Sequence, residues 1–145
     1  MKIEIYQPQA IWELGQRNNQ EDSIFPAFGE ATDDDRLFIL CDGMGGHEHG
    51  EVASQTVCKA MSDTILSLSK QSFTDDDLLY ALQAAYRQLD CLDNSHLKKM
   101  GTTLCLLYFH KGGLTAAHIG DSRIYHIRPK ENRILYQSRD HSLVY

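Results

Sequence analysis

The sequence predicts an α+β domain built on an antiparallel sheet. Three observations lead to this prediction: the chain opens with segments of strand character, continues with two segments of helical periodicity, and closes with short strands separated by turns. Repeated βαβ units would instead alternate strands and helices along the whole chain. The 145 residues have the length of one average domain, and no internal repeat or long linker divides them.

Three strands are predicted before the helices. Residues 2–6 ("KIEIY") and 10–14 ("AIWEL") alternate polar and apolar side chains, as half-buried strands do. Residues 36–42 ("RLFILCD") form an apolar run typical of a buried strand, and the polar loop "ATDDD" precedes them.

Two helices are predicted next. From about Gly50 to Leu68, apolar residues recur with helical spacing. The second helix opens at "TDDD" (74–77), where Thr74 is the predicted N-cap and the acidic side chains lie at the positive end of the helix dipole. Its predicted apolar face comprises Leu78, Leu82, Ala85, Leu89 and Leu92.

The C-terminal third changes to short strands. They are predicted at 102–110, 114–119, 122–128 and 133–137. The stretches "HKGG" and "RPKEN" carry the glycine, proline and asparagine typical of the turns between such strands.

Composition argues against several classes of protein. The formal net charge of -6, with no basic stripe among the 14 Lys and Arg residues, argues against a nucleic-acid partner. The apolar runs "LFILC" and "LCLLYF" are far shorter than the ~20 residues of a membrane span, and "MKIEIYQPQ" does not resemble a signal peptide. The four cysteines form no CxxC pair, and three lie in apolar patterns, which favours a reducing compartment. We therefore expect a cytoplasmic protein.

Acidic residues near predicted strand ends form the candidate site. Asp42 and Asp121 each end a predicted strand, and Glu21 and Asp22 lie near the end of the first strand pair. Carboxylates buried together need a cation, and oxygen ligands suit Mg²⁺ or Mn²⁺. Gly43 has no side chain to block its own carbonyl from such an ion.

Five stretches of the sequence resemble, in order, the motifs of a known family. They are "RNNQED", "DGMGGHEHGEVAS", "GTTL", "AHIGDSRIY" and "RDHSLV", and they extend from residue 17 to 144. The family is the metal-dependent protein phosphatases, called PPM or type 2C, in their bacterial form. One motif alone would be a weak signal, whereas five in order are specific. The resemblance implies an α-β-β-α sandwich of two antiparallel sheets flanked by helices.

The resemblance also implies a two-metal site that takes Mn²⁺ or Mg²⁺. Asp42 would bridge the two ions, the carbonyl of Gly43 would bind one of them, and Glu21 and Asp22 would hold metal-bound waters. Asp121 would belong to a third, weaker metal site, although it could instead cap the turn "GDSR".

Phosphate binding is assigned to Arg17, whose planar guanidinium suits a bidentate contact. The implied reaction is the hydrolysis of phosphoserine and phosphothreonine in protein substrates of Ser/Thr kinases. A hydroxide shared by the two ions would attack phosphorus in line. Met44 stands where eukaryotic members carry a proposed general-acid histidine, so the proton donor is unassigned.

The family continues beyond "DHSLV" into "SDGL" and "DN" segments, each of which gives an aspartate ligand. Residues 1–145 are therefore predicted to be the N-terminal part of a single PPM-type domain, and its unpaired strand edges would favour self-association. Two other functions stay open: an inactive or pseudophosphatase domain that only binds a phosphoprotein or partner, and a hydrolase of small phosphoesters. His47, His49, Asp140 and His141 are predicted to serve loops and turns rather than catalysis.

Overall fold

The computed structural model describes residues 3–15, 20–44, 49–68, 72–92 and 100–141. Within these ranges the α+β class is confirmed: two helices accompany two antiparallel sheets. The elements are β1 (Asp22–Phe25), β2 (Leu37–Met44), α1 (His49–Leu68), α2 (Asp75–Leu92), β3 (Gly101–Thr102), β4 (Leu104–His110), β5 (Gly113–Ile119), β6 (Tyr125–Arg128) and β7 (Arg133–Gln137). A short 3₁₀ helix, Pro129–Glu131, joins the last two strands.

The larger sheet has the order β1-β2-β4-β5, and β3 also pairs with β2. Burial alternates along β2: Leu37, Ile39 and Cys41 are buried, whereas the residues between them are more exposed. The buried residues pack against α1 through side chains such as Met61 and Ile65, and α2 adds Ala81 and Ala85 to this core. One face of the sheet is therefore covered by helices.

The helix predictions are confirmed to within one residue at the ends that the sequence specified. At the start of α2, the Asp77 N–H donates to the Thr74 hydroxyl at 3.2 Å, and the Thr74 N–H donates to the Asp77 carboxylate at 3.0 Å. These reciprocal bonds make Thr74 the N-cap, as predicted. Of the predicted apolar face, Leu92 is the member that remains exposed.

The strands predicted at 2–6 and 10–14 are wrong within the described residues 3–15, none of which lies in a strand. Tyr6 is 96% exposed and Ile11 is 86% exposed. Alternation supplies a face to bury but no hydrogen-bonding partner, and β1 instead pairs with β2. The strand predicted from residue 122 begins only at Tyr125, because the N–H of Ile124 donates to the Ser138 hydroxyl rather than to a backbone carbonyl.

Both predicted turns are confirmed. Lys111 and Gly112 connect β4 to β5, and the chain between β6 and β7 turns at Asn132, whose φ is 51°. In the β6–β7 hairpin every residue of β6 is exposed, and its exposed apolar side chains include Tyr125, Ile127, Ile134 and Tyr136. Among the described helices, neither has the length and hydrophobicity needed to cross a membrane.

Candidate active site

Two of the predicted carboxylates lie opposite each other on neighbouring strands. Asp22 and Asp42 are cross-strand partners in the β1–β2 register, and both are partly buried. The next pair, Ser23 and Cys41, faces α1, as the 2.9 Å contact between the hydroxyls of Ser23 and Ser54 shows. Asp22 and Asp42 consequently share the sheet face that α1 leaves open, where two like charges repel.

Gly43 is held in a contact that no other residue could make. Its N–H donates to the carbonyl oxygen of Glu21 at 3.0 Å. A Cβ on Gly43 would lie 2.8 Å from that oxygen and 2.5 Å from the carbonyl carbon of Gly50. The end of β2, the residue before β1 and the first turn of α1 therefore meet backbone to backbone.

The Glu21 side chain lies beside the start of α1. A Cβ on Gly50 would overlap the Glu21 carboxylate, whose Cδ would be only 2.9 Å away. Gly50 is the second residue of α1, so the carboxylate lies at the positive end of the helix dipole. The start of α1 thus holds the Glu21 side chain, and Glu21 directly precedes Asp22 of the Asp22–Asp42 pair.

Thr103 holds the backbone of Asp42. The Asp42 N–H donates to the Thr103 hydroxyl at 3.0 Å, and the Thr103 N–H donates to the Asp42 carbonyl at 2.9 Å. Thr103 is 2% exposed, and its hydroxyl lies 2.7 Å from that of Ser122. Thr103 is not among the site residues predicted from the sequence, although its place in the "GTTL" motif was a signal that could have marked it.

Asp121 is exposed and follows β5 by two residues. The turn that carries it is fixed from both sides. The Arg123 guanidinium binds both oxygens of Asp140 at 2.9 and 2.8 Å, and this hydrogen-bonded contact lowers the pKa of Asp140. The His141 N–H donates to the Gly120 carbonyl at 3.0 Å. Asp140 and His141 thus stabilise the turn next to Asp121.

The structure brings some predicted site residues together and leaves others apart or outside the described ranges. Glu21, Asp22, Asp42 and Gly43 are neighbours, and their carboxylate and carbonyl oxygens are donors that fit a hard divalent cation. Across the described part of the chain, no group of three or more Asp, Glu, His or Cys side chains is placed to hold a metal ion. Arg17 lies outside the described residues.

An open groove of about 900 Å³ begins at Asp22 and follows the outer edge of β1. Trp12 and Phe28 line it, with their ring centroids 5.9 Å apart, and Glu51 of α1 forms part of the opposite wall. A groove of this size and openness could admit an extended polypeptide as well as a small molecule.

The chain is similar in sequence to known protein phosphatases. The family model described as Protein phosphatase 2C matches residues 15–143. The serine/threonine protein phosphatase PstP of Mycobacterium tuberculosis is 38% identical over 125 residues, which are 79% of this chain and 21% of that protein. The serine/threonine phosphatase stp of Listeria welshimeri is 32% identical over 121 residues, which are 80% of this chain and 47% of that protein.

A solved structure agrees in fold. The catalytic domain of the serine/threonine protein phosphatase PstP, in complex with two manganese ions, matches with a TM-score of 0.67 and 34% identity. The match covers 88% of this chain and 52% of that one. The chain therefore spans about half the length, or less, of the proteins to which it is similar.

Proposed function

Because this chain belongs to the protein phosphatase 2C family, we propose that it is a metal-dependent phosphatase that acts on phosphoserine and phosphothreonine in proteins. The observation that supports this proposal best is the pairing of Asp22 with Asp42 beside Gly43. Two facing carboxylates on an open sheet face repel each other, and a divalent cation between or beside them would relieve that repulsion.

The proposed ligands of Mn²⁺ or Mg²⁺ are Asp42 and the carbonyl of Gly43, with Glu21 and Asp22 holding metal-bound waters. Asp121 is proposed for a third, weaker site. When bound, such ions would neutralise negative charge on the transferred phosphoryl group and lower the pKa of a bound water. Arg17 is proposed to bind the phosphate of the substrate, through the bidentate contact that a guanidinium offers.

The chain's own residues would prepare this site before any substrate arrives. Thr103 fixes the backbone of Asp42, and the close contact of Gly43 with Gly50 fixes the direction of the strand end. Glu21 is held at the start of α1. The groove that begins at Asp22 would receive the polypeptide on either side of the phosphorylated residue, with Trp12 and Phe28 as an apolar contact surface.

A second function is favoured by one observation. No three acidic, His or Cys side chains among the described residues are placed to hold a metal. The chain by itself would then bind a phosphoprotein without hydrolysing it.

We also propose that the exposed apolar residues of the β6–β7 hairpin let two copies associate, since an isolated two-stranded sheet is only marginally stable in water.

The test is Mn²⁺-dependent hydrolysis of a phosphothreonine peptide by the 145-residue chain, beside hydrolysis of a small aryl phosphate. Asp42→Ala should reduce the rate on the peptide by at least about 100-fold, more than the loss of an outer-shell partner costs. Asp90→Ala, which removes an exposed carboxylate from α2, is the matched control and should leave the rate unchanged.

Circular dichroism and sedimentation velocity on the same samples complete the experiment. Peptide hydrolysis that is lost in Asp42→Ala supports the phosphatase, and a dimer would indicate that a second copy contributes. Hydrolysis of the aryl phosphate alone would favour a small-phosphoester hydrolase. A folded chain that binds the peptide but leaves it intact would contradict catalysis by this chain and favour the binding function.

A further inference from the structure

We propose that Thr103 and Ser122 are positioning residues, which couple the backbone of Asp42 to the turn that carries Asp121. The inference rests on the proposed function, because it assigns these hydroxyls to the metal site formed around Asp42. Neither residue belongs to the predicted ligand set. Both hydroxyls lie where the strand pairing is interrupted, at Thr103.

The sheet ladder breaks at the residue opposite Asp42. Gly43 pairs with Thr102 and Leu40 pairs with Cys105, so the same register places Thr103 opposite Asp42. Yet β3 ends at Thr102 and β4 begins at Leu104. The Asp42 N–H, which would meet a backbone carbonyl in a regular ladder, donates to the Thr103 side chain instead. The hydrogen bond of the Asp42 N–H therefore depends on the rotamer of one buried hydroxyl.

That rotamer is fixed by the turn after β5. The Thr103 hydroxyl has one proton and two lone pairs, and it uses them for Asp42 and for Ser122, 2.7 Å away. Its methyl group lies against Gly120, where an added Cβ would be only 2.7 Å from Thr103 Cγ2. Gly120 has a φ of +101°, which favours glycine at this contact.

Asp121 lies between the two residues that touch Thr103. Gly120 contacts the methyl group and Ser122 contacts the hydroxyl, so the turn can move relative to Asp42 only if Thr103 moves as well. The packing is tight on both sides, since Thr103 is 2% exposed. Thr103 thus links the position of Asp42, the proposed bridging ligand, to the position of Asp121, the proposed third-site ligand.

The experiment measures Mn²⁺ binding by the 145-residue chain, from the loss of the electron paramagnetic resonance signal of free Mn²⁺. Thr103→Val keeps the shape of the side chain and removes the hydroxyl. It should weaken binding by about 10–100-fold, the usual cost of losing an outer-shell partner. Thr103→Ser restores the hydroxyl and should recover most of the affinity, a rescue that a role in packing alone would not give.

Ser122→Ala and Asp121→Ala test the coupling. Ser122→Ala should weaken Mn²⁺ binding in the same direction as Thr103→Val. Asp121→Ala should weaken Mn²⁺ binding in the wild-type background. In the Thr103→Val background it should weaken binding by a smaller factor, because the contact that couples Asp121 to Asp42 is already lost. Thermal melts followed by circular dichroism establish that each variant is folded.

The outcomes separate this inference from the proposed function. Wild-type protein that binds no Mn²⁺ would overturn the proposed metal site, and this inference with it. If the wild-type protein binds Mn²⁺ and folded Thr103→Val binds it with the same affinity, this inference alone would be overturned. If Thr103→Val does not fold, unchanged affinity in folded Ser122→Ala would overturn it.

Discussion

Replacing Gly43 with alanine tests whether the site depends on the close approach of three backbone segments. The added Cβ would lie 2.8 Å from the Glu21 carbonyl oxygen and 2.5 Å from the Gly50 carbonyl carbon. Both are backbone atoms, so no side chain can rotate away to make room. The residue before β1 or the first turn of α1 would have to shift by about 1 Å, because unstrained carbon contacts lie near 3.5–4.0 Å.

We expect Gly43→Ala to lower the free energy of unfolding by about 3 kcal/mol, the upper end of the usual cost of overpacking. With a urea m-value of about 1–3 kcal/mol/M, the unfolding midpoint should fall by about 1–3 M. The measurement is urea denaturation followed by circular dichroism in the presence of EDTA, so that metal binding does not contribute to the stability that is measured.

Gly101→Ala is the matched control, because Gly101 lies beside Gly43 in the same β2–β3 ladder. A Cβ there would meet the Met44 side chain at 3.5 Å, an ordinary contact. We expect this variant to be neutral or to gain up to about 1 kcal/mol from a less flexible unfolded chain. Equal midpoints for Gly43→Ala and Gly101→Ala would refute the argument that backbone contact excludes a side chain at Gly43.

Two further predictions concern the stability of the fold. Thr74→Ala should lower the free energy of unfolding by about 1 kcal/mol in urea denaturation, because α2 loses its N-cap, whereas Thr74→Ser should keep most of it. Asp140→Asn should reduce stability at pH 7 but much less at pH 2. The hydrogen bonds from Arg123 lower the pKa of Asp140 below its usual value near 3.9, so their contribution is present above that value and is lost as the pH falls through the lowered one. Urea midpoints at both pH values check this, and an equal loss at pH 2 and pH 7 would contradict it.

Local patterns were enough to predict much of the fold. The helical spacing and the Thr74 cap predicted both helices, and glycine, proline and asparagine predicted both hairpin turns. These features depend on residues close together in the chain. The strands predicted at 2–6 and 10–14 were wrong because a strand needs a partner to pair with, and alternation in one segment does not specify that partner.

The candidate site likewise combines residues that the sequence could predict with contacts that depend on the tertiary structure. The acidic residues and Gly43 could be named from the sequence, because the motifs place them in a recognisable order. The "GTTL" motif could have marked Thr103 but not its role, because that role depends on lying opposite Asp42 and against Ser122, residues 61 and 19 positions away in the chain. A buried hydroxyl in an apolar strand looks the same in the sequence whether it fills space or holds a backbone.

The sequence by itself determined the family, the α+β class and the identity of the candidate ligands, because each of these is written in residue types at short or ordered spacings. Only the tertiary structure decided that Asp22 faces Asp42, that Gly43 meets Gly50, and that Thr103 joins Asp42 to the turn of Asp121. Strand register, helix placement and the interruption of a ladder are set by packing among distant segments, and no local pattern encodes them.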